Sequence, residues 1–348
     1  MRRSFSRTFC VISVIVLCAF VLTALVDVKE DPLIFKPWPG SQEVAAVENT
    51  GLDSGNVSGL TLQSNEAAYS MWAVKNNPSM LFHLTNEGGS WKPSNDEEFG
   101  QALTYPDGGG SPDAEAVQFV ERTTGDAVYV AIERDNHNPD FSDLSVLRFD
   151  PNQGGDVLVA DKHWDLNEDF SMEIPPNAGF EGLAFVPDDI LLSERFFDES
   201  ANEAYNPSKY DSDAGGVFFL GLEKTGTIFG YVLNRDGSSE RIATIDSGLP
   251  MISELEFDVD GKQLWVICDH ACGGRANVLH LKSTLWMRTH MPIQASFLMP
   301  DELPDTNIEG FAVTGQENCQ DGQRRVFWAD DDALDDIILW EGSLACEK

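Results

Sequence analysis

The sequence predicts an all-β fold, a five-bladed β-propeller behind an N-terminal transmembrane helix, with a six-bladed propeller as the alternative. Three observations lead there. A short apolar segment carrying a serine or glutamate, usually beside Gly or Ala, occurs five times, at residues 57–62, 114–119, 180–185, 252–257 and 308–313. Taking Ser58, Glu115, Glu181, Ser253 and Glu309 as equivalent, the steps are 57, 66, 72 and 56 residues, the mark of repeated supersecondary units. Strand-like runs rich in β-branched and aromatic residues follow every copy, separated by Gly, Asp, Asn and Pro. Four-stranded units repeated around an axis make a propeller. At the start of the chain, Arg2, Arg3 and Arg7 precede 19 uncharged residues, 8–26, long enough to cross a bilayer as a helix.

In chain order, residues 1–26 are the membrane anchor. The exit from this run offers only poor small-x-small cleavage sites, so an uncleaved anchor is preferred to a cleaved signal peptide. The arginines then stay inside and the remainder faces the periplasm or the cell exterior. Residues 27–50 read as an acidic, proline-containing tether. Within it, 33–35 or 43–47 is expected to supply the strand that closes the last blade, since closure removes open sheet edges. Residues 51–348 are the propeller. Second strands are expected at 72–76, 129–133, 190–194, 265–269 and 327–331, each ending in a polar or acidic residue. Third strands are expected at 80–84, 144–149, 227–233, 277–281 and 337–340. A spare strand near 156–160 is what keeps a sixth blade in view. Long insertions at 134–143 and 195–216 have the length of functional or disordered loops, and 91–112 reads as a surface loop.

The chain has 58 acidic and 23 basic residues, a formal net charge of −35. That balance argues against nucleic-acid binding, which needs a basic footprint. It suits a self-repelling soluble surface or bound cations. Cys10 and Cys18 lie in the apolar run and read as hydrophobes. Cys268, Cys272, Cys319 and Cys346 would be exported, and an even number of exported cysteines implies disulfides. Three pairings are possible. Cys268–Cys272 with Cys319–Cys346 is preferred, the first pinning the loop after a blade-4 strand and the second tying down the chain end.

In a propeller the innermost strands surround one channel, so equivalent inner-strand residues form a ring. Glu115, Glu181 and Glu309, completed by Ser58 and Ser253, make one ring. The second-strand ends Asn76, Glu133, Glu194, Asp269 and Asp330 or Asp331 make another near one mouth. Crowded like charges raise each other's pKa or recruit a cation. Hard oxygen ligands in this number suit Ca²⁺, or less well Mg²⁺. The metal-site expectation is therefore Glu115, Glu181, Glu309, Glu133, Glu194 and Asp269. The competing reading is that these glutamates accept backbone N–H groups and lock adjacent blades. Arg134 and Arg195 directly follow two of the acids and read as structural salt-bridge partners or anion anchors. Of six histidines, His270 beside Asp269 is the best-placed general base and His137 the next. No Gly-x-Ser-x-Gly elbow, Walker loop or His-Glu-x-x-His is present.

The order Ser-Gly-Leu, Glu-Ala-Val, Glu-Gly-Leu-Ala, Ser-x-Leu, Glu-Gly-Phe-Ala resembles the SdiA-regulated (YjiK-like) exported propellers over about residues 55–342. The partner segments 73–76, 132–134 and 193–195 match in kind. The sequence is similar, less closely, to the phytase-like (esterase-like) domain through residues 180–184 and 133–136. It departs from both where Ala116 and Glu254 replace glycine. The resemblance implies an extracytoplasmic propeller with calcium and does not itself fix an activity. The function expected is a calcium-dependent phosphoester or ester hydrolase acting on a small anionic or ester substrate at the channel mouth. The alternatives are a non-catalytic binding propeller with structural calcium and a lactonase-like hydrolase.

Overall fold

The computed structural model describes residues 33–52, 55–65, 68–94, 100–170, 174–281 and 291–346. The expected transmembrane helix lies outside them. Among the described residues no helix is long and apolar enough to cross a membrane. All the sheets lie within one compact unit, Ile34–Lys348.

Five antiparallel blades follow one another. Blade 1 runs Val57–Asn65, Ala68–Lys75, Met80–Glu87 and Gln101–Thr104 from the inside outward. Blade 2 runs Pro112–Val120, Ala127–Asp135, Ser142–Phe149 and Lys162–Asp165. Blade 3 comprises Phe180–Pro187, Gly216–Leu222, Thr227–Leu233 and Ser239–Asp246. Blade 4 comprises Glu254–Asp258, Gln263–Cys268, Arg275–His280 and Ile293–Leu298. Blade 5 supplies Ile308–Val313, Gln323–Asp330 and Leu339–Ala345, and its outer strand is the N-terminal Ala45–Val47, paired with Leu339–Glu341. The closing strand thus comes from the second of the two expected segments. Lys36, just past the first, makes a parallel bridge to Phe297 on the edge of blade 4. The spare strand Val157–Val159 adds in parallel to Gln101–Thr104 on the rim of blade 1, so it founds no sixth blade.

One expected strand is a helix. Asp188–Glu194 is a short α-helix, with Pro187 before it, two acids in its first turn and Arg195 in a left-handed conformation at its end. Acids at a helix N-terminus oppose the positive end of its dipole. Short apolar runs such as 190–192 do not distinguish strand from helix by pattern. The second strand of blade 3 is instead Gly216–Leu222. The insertion between them carries a small hairpin, Phe197–Asp198 with Glu203–Ala204. It is anchored by Asp213, which accepts from Arg122 (2.9 Å), Arg148 (2.6 Å) and the Tyr129 hydroxyl (2.6 Å).

The apolar core is divided into five clusters, each filling the gap between two neighbouring blades. Blades 5 and 1 share Leu60, Ala73, Phe327 and Ala329, for example. Blades 4 and 5 share Trp265, Phe311 and Trp328, with Trp38 from the N-terminal segment inserted among them. A buried Arg324–Asp258 ion pair joins the same two blades. With apolar side chains committed to the gaps, the axis is left to polar ones.

Inner strands approach closely, and this explains the small residue in the repeat. A Cβ on Gly59 would lie 2.8 Å from Ala116 Cα, one on Gly182 2.8 Å from Leu255 N, and one on Gly310 2.8 Å from Leu60 Cγ. Beside these positions the strand pairing skips one residue: Ser58, Glu115, Glu181 and Glu309 each sit in a bulge against the second strand. A bulge re-aims the extra side chain, here toward the axis.

Trp38 is 3 % exposed and bonds through its indole N–H to Ser343 O at 2.8 Å. Trp38→Ala is expected to cost about 3–5 kcal/mol of stability, read as a lowered urea midpoint. A change below about 1 kcal/mol would show that the N-terminal segment does not close the ring.

Candidate metal centre

The bulges bring three blades together at a point. One carboxylate oxygen from each of Glu115, Glu181 and Glu309 lies within 4.8 Å of the others. Glu115 and Glu181 are 3 % and 8 % exposed. Ser253, the blade-4 equivalent, is buried with its hydroxyl unpartnered, and Glu309 Oε2 is likewise buried without a partner. The polar contacts to this ring are few. Asn307 Nδ2 donates to Glu309 Oε1 at 2.7 Å, and Asn76 Nδ2 lies 3.4 Å from both Glu115 oxygens. The ring foreseen from the repeat is therefore present, with its members aimed at one another.

A second tier stands at the mouth above it. Glu133 accepts from Gly179 N at 3.0 Å, and its carboxylate groups with those of Asp113 and Glu115, again within 4.8 Å. Glu115 belongs to both triads. Arg134 pairs with Asp113, lies 3.8 Å from Glu133 and donates to Pro176 O at 3.2 Å, so it is a structural partner of the acids. Asp269 caps the turn that follows its strand, accepting from Ala271 N at 2.9 Å, and lies 3.3 Å from His270 Nδ1. The Cys268–Cys272 disulfide closes that turn, and Cys319–Cys346 ties the chain end, both as expected.

Two sequence expectations need correction. Glu194 is not in the mouth: it ends the helix after the inner strand of blade 3 and pairs with Lys262. The residue that follows the true second strand of blade 3 is Glu223, with one carboxylate oxygen buried and unpartnered. It is the counterpart of Glu133, Asp269 and Asp331. Arg195 is exposed beside Glu194 and takes no part in the site. His137 is exposed in the turn after the second strand of blade 2, next to Asn136, which donates to Asn76 O at 2.8 Å, and His270 stays at the rim.

Two further acids went unforeseen. Asp113 is fully buried two residues before Glu115, where Asn56 and Asn307 stand in blades 1 and 5; a polar residue at that offset was the available signal. Glu254, at the glycine position of blade 4, is also fully buried. It accepts from Leu255 N at 2.8 Å and Leu60 N at 3.4 Å, and Leu183 N bonds it too. It therefore ties blades 1, 3 and 4 across the axis beyond the ring, which is the locking role considered for the ring glutamates.

No family model matches the chain, and no curated protein matches it. Among solved structures the chain is similar to one described as belonging to the GH130 family of mannoside phosphorylases, which contains glycoside hydrolases that target β-1,2 mannosidic linkages in Candida mannan. The two share 10 % identity over 91 % of this chain and 99 % of that one, with a TM-score of 0.46. At that distance the likeness bears on neither substrate nor chemistry.

Electrostatics set the chemistry of the ring. Burial pushes Glu115, Glu181 and Glu309 well above the usual carboxylate range, and neighbouring carboxylates add to it: Glu133 first for Glu115, Glu115 for Glu181, Asp331 for Glu309. Burial likewise pushes Glu133 up to about 8, against the Gly179 amide that holds it down. Two charges this close repel by about 3–4 kcal/mol at an effective dielectric of about 20. Three ionised glutamates would therefore cost about 10 kcal/mol in mutual repulsion alone. Protons or a cation must relieve it.

The sign of the pH dependence follows. These acids have folded pKa values above their unfolded ones, so the native chain holds the extra protons. Their stabilisation is complete below the unfolded glutamate pKa of about 4.3 and is lost as pH rises through the folded values, about 8 for Glu133. Metal-free protein is expected to lose urea midpoint steadily between about pH 5 and pH 9, and Glu133→Gln to flatten that slope. A midpoint that holds level or climbs over this range contradicts the assignment.

Proposed function

We propose that this chain is an extracytoplasmic, calcium-binding β-propeller that hydrolyses an ester or phosphoester at its acidic mouth. The observation that carries the reading is the meeting of Glu115, Glu181 and Glu309, from three blades, with oxygens within 4.8 Å of one another. Oxygens around one Ca²⁺, each at about 2.3–2.6 Å from it, fall within such a span. The unpartnered Glu309 Oε2 and Ser253 hydroxyl fit the same demand for ligands. Glu115, Glu181 and Glu309 would hold the ion, with the Ser58 hydroxyl beside Glu115 and Glu309. Glu133, shared with Asp113 and Glu115 in the tier above, would extend the site toward the mouth. Mg²⁺ fits less well, because it demands near-ideal octahedral geometry.

A bound divalent ion would polarise the carbonyl or phosphoryl oxygen of a substrate. The chain's own contribution is proton handling. Glu133, at about 8, can hold or release a proton near neutral pH. Asp269 orients His270 on the rim, where its side chain is 46 % exposed. The order of the repeats, which resembles the SdiA-regulated and phytase-like propellers, supports the same reading. Two disulfides support an oxidising location outside the cytoplasm, with residues 1–26 as the membrane tether. The burial of Glu115 and Glu181 favours the second reading, in which the ion only ties the blades.

Chelation is expected to lower the melting temperature, with calcium and not sodium restoring it. Glu181→Gln should weaken calcium binding at least about tenfold, or 1.4 kcal/mol. Protein that retains calcium is expected to cleave p-nitrophenyl esters or phosphates in a calcium-dependent way. Calcium retention without hydrolysis selects the structural reading. Failure of EDTA to change the melting temperature, together with no metal by elemental analysis, overturns both.

A further inference from the structure

The channel has a second end, and the glutamate ring does not reach it. The inner strands of all five blades finish there around a cavity of about 510 Å³, a usual size for a small-molecule site. Glu254, bonded to blades 1, 3 and 4, lies across the axis between the two ends.

The lining is unusual in kind. Tyr69, Phe119, Phe185 and Phe257 supply aromatic walls. They are held rather than loose: Phe119 stacks on Trp72 at 5.8 Å and Phe185 packs on Phe218 at 4.9 Å. Gln118 bridges Thr61 Oγ1 and Phe185 N, each at 3.2 Å. The charged lining residues are Glu121, Glu256, Asp258, Asp260 and Glu317, and no Lys, Arg or His is among the described residues there. Asp258 is neutralised by Arg324. Among the described residues, Asp260 and Glu317 take neutral donors: Gln316 N at 2.7 Å, and Ser64 Oγ and Asn318 Nδ2 at 2.9 and 3.1 Å. Glu256 is 8 % exposed and accepts from Val313 N at 3.3 Å. Among the described residues no second donor reaches it.

We propose that this mouth binds a small organic cation, an alkylammonium group seated between the aromatic walls and the Glu256 carboxylate. The sign of the lining excludes an anion. A bare metal ion wants six or more oxygens at close range, and the walls offer rings instead. An ammonium group carrying methyl or methylene groups uses both features, because aromatic faces attract cations and the carboxylate supplies the counter-charge. Burial pushes Glu256 up to about 8, with Asp258 adding to the shift and the Val313 amide and Arg324 opposing it. A cation beside it would supply the partner that its surroundings lack.

The test is calorimetry on the full chain with choline and with 3,3-dimethylbutan-1-ol, which has the same shape and no charge. Choline is expected to bind, and the neutral isostere at least about tenfold more weakly, a 1.4 kcal/mol difference. Glu256→Gln, which keeps an acceptor for Val313 N, should weaken choline by a similar factor. Phe257→Leu, a second variant at a wall and not at the charge, should weaken choline more than the isostere. Equal binding of the two probes overturns the proposal. So do no choline binding at millimolar concentration, displacement of choline by calcium, or unchanged choline affinity in both variants.

Discussion

Repulsion on the propeller axis is the constraint to which the rest of this structure answers. Three glutamates from three blades meet with oxygens within 4.8 Å of one another. Their mutual repulsion, if all were ionised, is comparable with the whole stability of an ordinary domain, about 5–15 kcal/mol. Apolar packing cannot relieve it, because the five core clusters lie in the gaps between blades and not on the axis. The ring must therefore be held shut from outside while its centre is neutralised from within. The N-terminal strand Ala45–Val47, the Trp38 anchor, the Arg324–Asp258 pair and the disulfide at Cys319–Cys346 all act on blade 5 or its neighbours, where the circle closes.

Much of this was legible in the sequence for a physical reason. Inner strands of a propeller share one environment, so the same residue types recur: a small residue where neighbouring strands touch, and a bulged polar one facing the axis. That made Ser58, Glu115, Glu181, Ser253 and Glu309 readable as a set. Blade 3 was harder. The pattern Ile190-Leu191-Leu192 buries one face equally well as strand or helix, and only the preceding Pro-Asp-Asp favours the helix. Misplacing that strand moved the expected acid from Glu223 to Glu194. Glu254 was visible as a departure from glycine, but its role needs three amides from three blades, which no local pattern encodes.

The two ends of the channel differ because different parts of the repeat face them. The starts of three inner strands and the ends of most second strands deliver acids, crowded enough to need protons or a cation. The far ends deliver Phe119, Phe185 and Phe257 together with acids, giving a cavity that is negative and walled in part by aromatic rings. Glu254 separates the two, so one scaffold presents two chemically distinct channel ends. The disulfide at Cys268–Cys272 constrains the turn carrying Asp269, which keeps that acid at the mouth when the rim is otherwise built from loops.

The central claim is that the buried glutamates exchange protons for a divalent ion. Calcium titration of metal-free protein at pH 7, in two buffers of different ionisation enthalpy, measures this directly by counting protons released per ion bound. The account predicts release of at least about one proton per calcium, because burial holds these carboxyls partly protonated when no ion is present. Binding with no proton release, or no binding at all, would contradict it.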